Sequence, residues 1–207
     1  MKPIGIFGGT FDPIHFGHLR TAFELRQALD LAEMRFIPAG RPPHRGTPSC
    51  DPLHRLAMVR AATDDREVRR DGPSYMVLTL RELRAEAPAR PLCLVLGMDA
   101  FLGLPQWYEW REVLELAHVV VAHRPGWSAP TDGPLGELLA TRGTQRVAEL
   151  HDHLAGRIHV RPVTQLEISS TELRDLIVAG RDPRYLLPDA VRAIIRDTAC
   201  YQSDPTR

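Results

Sequence analysis

Short runs that are apolar throughout alternate along this chain with stretches whose apolar positions recur at helical spacing. Residues 3–7, 35–38, 92–96, 118–122 and 158–161 read as strands. Residues 16–31 carry Leu19, Phe23, Leu25 and Leu29 at helical intervals. Asp51 reads as the cap of a second helix running to about residue 62, and Ser74 as the cap of a third, over 74–86. Ser169 or Ser170 opens a helix to about residue 179, and residues 189–198 form a last one after Pro188. A short strand is expected near 67–69. Residues 127–156, rich in small residues, Pro and Gly, read as a loop plus one helix around 147–154. Runs apolar at every position suit strands buried on both faces. Their alternation with helices predicts the α/β class, with a parallel sheet covered on both sides. The expected organisation is a single domain over residues 1–207 with a small C-terminal helical part at about 169–199. In such sheets ligands bind beyond the carboxyl ends of the strands. The loops after Phe7, Pro38, Leu96 and Ala122 should therefore share one face.

Bulk composition narrows the partners. The 207 residues are 43% hydrophobic and 25% charged, which suits an ordinary packed core. The formal net charge is zero, and a nucleic-acid partner would call for a basic surface or stripe. Lys2 is the only lysine, so the positive charge is carried by arginine, whose fork suits phosphate. The three cysteines, Cys50, Cys93 and Cys200, are widely spaced and show no CxxC pair. That spacing argues against a disulfide framework or a zinc cluster. Cys93 lies in an apolar run and reads as a small core residue. No segment reaches the roughly 20 apolar residues of a membrane span, and the N-terminal apolar stretch is too short for a signal peptide. The cytoplasm is the expected compartment.

Chemistry concentrates in the first loop, GGTFDPIHFGH (residues 8–18). Gly8 and Gly9 directly follow the first strand and let the backbone come close to a phosphate. His15 and His18 are three residues apart at a helix start, which puts both imidazoles on one face. Gly17 removes a side chain between them. The helix N-terminus adds partial positive charge at the same place. Such a set of donors suits phosphoryl or nucleotidyl transfer, where positioning and charge stabilisation dominate. No third residue at a metal-ligand spacing accompanies the histidines, so no protein-held metal is expected there. In a second element, ISSTELR (residues 168–174), Ser170 and Thr171 open a helix whose N–H groups suit an anion. Arg174 follows one turn later.

In this order, the two elements resemble the signatures of the HxGH nucleotidylyltransferase superfamily. FIPAGRPPHR (36–45), TLRELR (79–84), GMDAFLGLPQW (97–107), VVVAHRPG (119–126) and YLLPDAV (185–191) are similar to the bacterial nicotinate-nucleotide adenylyltransferases within it. The resemblance spans nearly the whole chain apart from residues 127–156. It implies a Rossmann-like, doubly wound sheet and transfer of AMP from ATP to nicotinate mononucleotide, with Mg²⁺ carried mainly by the ATP phosphates. It assigns catalysis to His15 and His18. Gly8, Gly9, Thr10, Asp99, Ser170, Thr171 and Arg174 bind ATP, and His44 and Arg45 form a supporting phosphate loop. Thr79, Trp107 and Tyr108 are implied for the mononucleotide, with the Trp107 indole facing a pyridinium cation, a contact of about 0.5–2 kcal/mol.

The chain departs from the family at Met76 and Leu78, where polar residues are common, and at Arg45, where lysine is common. The first two leave the choice between acid and amide open. Nicotinamide mononucleotide and phosphopantetheine remain alternative acceptors. A non-catalytic nucleotide-binding module and a metal-dependent hydrolase are readings of other classes. Homo-oligomer formation is also left open.

Overall fold

The computed structural model describes residues 1–43, 48–60, 64–123, 130–164 and 166–201. Five strands form one sheet: β1 (Ile4–Gly9), β2 (Glu33–Pro38), β3 (Leu92–Gly97), β4 (His118–His123) and β5 (Ile158–Pro162), in the order β2-β1-β3-β4-β5. β1, β3, β4 and β5 run parallel, with Phe7 opposite Val95, Leu96 opposite Val121 and Ala122 opposite Arg161. Residues 92–96 and 119–121 are buried without a break, so the sheet is covered on both faces, as continuous apolar runs require. The carboxyl ends of the parallel strands lie along one edge.

Ten α-helices accompany the sheet among the described residues. They are α1 (Phe16–Ala28), α2 (Pro52–Val59), α3 (Arg66–Arg69), α4 (Met76–Glu86), α5 (Met98–Leu102), α6 (Trp110–Leu116), α7 (Gly133–Arg142), α8 (Ala148–Asp152), α9 (Ser170–Val178) and α10 (Asp189–Thr198). This is the α/β, Rossmann-like arrangement that the alternating pattern and the resemblance led us to expect. No helix among the described residues is long and apolar enough to cross a membrane.

The chain forms two compact units that interleave in sequence. The first comprises Met1–Gly8, Thr21–Arg35 and Tyr75–Thr164. It holds most of the sheet, with α4 packed on α6, and α5 against β3 and β4. Arg84 of α4 closes several of its turns by donating to the carbonyls of Ala87, Arg90, Leu116 and Leu154. The second comprises Gly9–Arg20, Phe36–Ser74 and the described residues from 166 to 201. Here α10 packs on α2.

Two helix caps are as the sequence indicates: the Asp51 carboxylate accepts from the Leu53 N–H, and the Ser169 hydroxyl from that of Glu172. Other expectations are corrected. Residues 67–69 lie in a one-turn helix, not a strand, because Asp64 accepts from the Arg66 N–H and the Asp65 carbonyl takes the N–H groups of Val68 and Arg69. Ser74 does not cap α4. Its hydroxyl instead accepts from the N–H groups of Gly40 and Arg41, while Tyr75 occupies the cap position. Residues 130–156 hold two helices, α7 and α8, where one was expected. The segment 97–116, whose motifs gave no helical signal, contains α5, a 3₁₀ turn (Leu104–Gln106) and α6. Cys50 and Cys200 are joined by a disulfide across 150 positions, against the expectation of none. Packing of α2 on α10 brings them together, and a contact of that range leaves no trace in local spacing.

Candidate active site

The second unit gathers the residues of both sequence signatures except Gly8. His15 occupies the cap position of α1: its carbonyl accepts from the N–H groups of His18 and Leu19. The two imidazoles lie face to face, 3.8 Å between centroids and tilted by 34°. The backbone N–H of His15 donates to His18 Nδ1 at 3.3 Å. An accepting Nδ1 puts the proton of the neutral ring on Nε2, which makes His18 a donor on its far side.

His15 is buried, and its Nδ1 has no hydrogen-bond partner among the described residues. Burial lowers its pKa to about 4, so the ring is neutral at pH 7. A buried, unmatched polar atom is costly in a finished core and ordinary in a binding site. Gly17 makes the arrangement possible, since a Cβ there would lie 2.9 Å from His15 Nδ1.

Helix α9 is fastened to the same loop. The Ser170 hydroxyl donates to the Pro13 carbonyl at 3.0 Å. Arg174 donates to the Asp12 carbonyl at 2.7 Å and to the Thr171 hydroxyl at 3.1 Å. His15, His18, Ser170, Thr171 and Arg174 are thus held around residues 12–13, with two helix N-termini and a guanidinium as the positive elements. Gly9 lies in the same unit, where a Cβ would meet the Phe11 ring at 2.9 Å. Thr10 turns its carbonyl to Arg55 at 2.7 Å.

Three residues that hold this loop were not singled out from sequence. Arg55 is fully buried and donates to four carbonyls, those of Cys50, Thr10, Ala39 and Gly40. It joins the loop after β1 to the loop after β2. The available signal was an arginine three and four residues before Met58 and Val59, on the apolar face of α2. Asp12 is buried and accepts from the Ser49 N–H at 2.9 Å and the Tyr201 hydroxyl at 2.7 Å. Burial and the neighbouring Asp12 charge push the Tyr201 phenol upward, so it remains the proton donor. Its position near the C-terminus gave no local hint.

The remaining assigned residues belong to the first unit. Gly8 ends the part of β1 in this unit, and a Cβ there would meet Met76 Cε at 2.5 Å, so the departure at residue 76 lies directly over the first glycine. Asp99 is exposed in the first turn of α5. Trp107, half-buried, follows the 3₁₀ turn. Tyr108 is exposed and its ring lies 4.7 Å from that of Tyr75. Thr79 is fully buried within α4. His44 and Arg45 lie outside the described residues.

Two histidines of the first unit share the electrostatic character of His15. His118 accepts from the Arg157 N–H at 3.0 Å, and its Nε2 faces the His153 carbonyl at 2.9 Å, so both nitrogens suit the neutral ring. Desolvation lowers its pKa to about 4, and that of buried His159 in the same direction. The unfolded chain takes up protons near pH 6.5 and the folded one only near pH 4, so stability is complete above pH 6.5 and falls as pH drops towards 4. We expect the urea midpoint to fall steadily between pH 7 and pH 4.5, with up to about 3 kcal/mol at stake per fully shifted histidine. A midpoint constant down to pH 4.5 would contradict neutral burial.

Comparison with known proteins completes the picture. Residues 6–176 match the cytidylyltransferase-like family model. A probable nicotinate-nucleotide adenylyltransferase of Aeromonas hydrophila is 50% identical, with 97% of each chain covered. One from Halorhodospira halophila is 49% identical, covering 97% of this chain and 96% of the relative. The chain belongs to the nicotinate-nucleotide adenylyltransferases of the cytidylyltransferase-like family. Among solved structures, the nicotinic acid mononucleotide adenylyltransferase of Plasmodium falciparum complexed with NaAD superposes with a TM-score of 0.68 at 17% identity. It covers 97% of this chain and 98% of its own. A Vibrio parahaemolyticus structure described as a putative nicotinate-nucleotide adenylyltransferase gives 0.61, also at 17% identity, with 94% and 99% covered. At such low identity these neighbours establish the fold. The family membership rests on the relatives that share about half of this adenylyltransferase's residues.

Proposed function

We infer that the chain transfers the AMP part of ATP to nicotinate mononucleotide, giving nicotinate adenine dinucleotide and pyrophosphate, a step of NAD biosynthesis. The observation that carries the chemistry is the stacked His15 and His18 pair at the start of α1, with α9 and Arg174 fastened beside it. Full-length identity of about half to nicotinate-nucleotide adenylyltransferases supplies the acceptor.

In this reading a phosphate oxygen of the acceptor attacks the α-phosphorus of ATP. A new P–O bond forms, the bond to the β-phosphate bridging oxygen breaks, and pyrophosphate leaves with that electron pair. The attacking oxygen is already ionised at neutral pH, so no strong base is required, and no covalent intermediate is formed. The protein's task is to hold two anions in line and stabilise charge on the leaving group.

His18, with its proton fixed on Nε2, donates to the phosphates, and His15 holds them from the cap of α1. Ser170, Thr171 and Arg174 hold the β- and γ-phosphates, Gly8, Gly9 and Thr10 line their path, and His44 and Arg45 support them. Asp99 serves the ribose or base. Trp107 stacks on the pyridinium ring, with Tyr108 and Thr79 completing the acceptor contacts.

Magnesium enters as part of the nucleotide substrate. The donor set fits this: Asp12, the carboxylate of the histidine loop, already accepts from Ser49 and Tyr201. The cytoplasm is the setting this reading gives the enzyme.

The test is pyrophosphate release from MgATP with nicotinate mononucleotide, nicotinamide mononucleotide or phosphopantetheine in parallel. The nicotinate form should be turned over most efficiently. Preference for the amide would keep the mechanism, move the acceptor and implicate Met76 and Leu78. ATP hydrolysis without an acceptor, or ATP binding with no release, would overturn the reading.

A further inference from the structure

One cluster of chemically capable side chains lies outside the phosphate cradle. Cys50 sits just before Asp51, the cap of α2, and His54 lies in the first turn of that helix. Cys200 follows the end of α10, which packs on α2. Both cysteines are buried and His54 is half-buried. His54 Nδ1 stands 3.6 Å from Cys200 Sγ, and the two sulfurs and this nitrogen all lie within 4.8 Å of one another. It is the one His, Cys, Asp or Glu cluster of metal-ligating geometry among the described residues.

We propose that Cys50, His54 and Cys200 form a redox-gated site for a thiophilic divalent cation of the Zn²⁺ class. Oxidised, the pair is the Cys50–Cys200 disulfide and the site is closed. A dithiol reductant supplies two electrons and two protons, is itself converted to a disulfide, and leaves two thiols. Zn²⁺ then displaces both thiol protons and binds two thiolates and the Nδ1 of His54. The geometry suits the ion: Zn–S and Zn–N bonds of ordinary length at tetrahedral angles hold their donor atoms roughly 3.5–3.8 Å apart. The His54 to Cys200 distance already has that value, and the sulfurs need only part once their bond is broken. Two thiolates and an imidazole prefer zinc to magnesium or calcium, and water can take the fourth position. In a compartment that keeps thiols reduced, the cation would replace the disulfide as the link between α2 and α10.

That link reaches the catalytic loop by short paths. Tyr201, next to Cys200, donates to Asp12, and the Cys50 carbonyl accepts from Arg55. Cys93, the remaining cysteine, is buried in β3 with its thiol pushed up to about 12, so it does not compete.

Cobalt(II) is the probe, because thiolate ligation gives a charge-transfer band and tetrahedral coordination gives intense visible bands. The full-length chain, reduced with a phosphine and desalted, should bind one Co²⁺ with both features, and added Zn²⁺ should abolish them. The oxidised chain should show neither. His54→Gln should retain the disulfide yet weaken Co²⁺ binding by at least about 100-fold, the upper end of what losing even an outer partner costs. Cys50→Ser with Cys200→Ser should abolish the charge-transfer band. The proposal fails if the reduced chain gives no thiolate band, if the oxidised chain gives the same spectrum, or if His54→Gln binds as tightly as the parent. The His54 variant preserves the disulfide, so the test does not depend on the double variant folding.

Discussion

His18→Ala is expected to lower kcat for adenylyl transfer by about 10²–10³-fold, the usual cost of deleting one donor aimed at developing charge. The argument rests on geometry. His18 Nδ1 accepts from the His15 N–H, so in the neutral ring Nε2 carries the proton and is the donor. Charge grows on the leaving pyrophosphate as the bond to the α-phosphorus breaks, and a donor that strengthens with that charge acts on kcat rather than on binding alone. The fold should persist, because His18 is not fully buried and alanine is a good helix former within α1. The measurement is steady-state pyrophosphate release, with thermal unfolding of the same sample as control. A kcat within about threefold of the parent, a loss of well under 1 kcal/mol, would remove His18 from catalysis.

Arg55→Met should be the most damaging single change to stability, at about 3–5 kcal/mol. One guanidinium satisfies four carbonyls, and methionine fills much of the volume while satisfying none. Burial lowers the Arg55 pKa, yet a guanidinium stays charged, and the nearby Asp12 charge offsets part of the desolvation. Against a typical domain stability of about 5–15 kcal/mol, such a loss takes a large share. Arg55→Lys should recover only part of it, since one ammonium cannot span carbonyls on three separate segments. Because Thr10 is among those carbonyls, kcat/KM should fall as well. Urea unfolding of both variants is the check. A midpoint shift equivalent to less than about 1 kcal/mol for Arg55→Met would show that solvent replaces the lost donors.

The site was unevenly legible before the structure. Its chemical centre was readable because it is local: a strand, two glycines, a helix start and histidines at three-residue spacing lie within residues 4–18. The arginine of the second signature was readable as a candidate, but its partners were not. Arg174 reaches the Asp12 carbonyl and Ser170 that of Pro13, more than 150 positions away. Ser74 shows how a local rule is overridden. Its residue type suited a helix cap, but the two N–H groups after β2 claimed its hydroxyl. The helices α5 and α6 escaped notice because they are too short to show a full apolar repeat.

What the sequence by itself determined is the periodic part of the protein. Strands buried on both faces, capped helices and the donor-rich loop at residues 8–18 follow from backbone hydrogen bonding and side-chain spacing within a few residues. What only the tertiary structure decided is which distant groups meet: Arg55 with four carbonyls, Tyr201 with Asp12, and Cys50 and His54 with Cys200. Those pairings arise from the burial of helix faces against one another. Burial rewards apolar area without regard to sequence distance, so the polar groups carried along are paired by packing rather than by any local pattern.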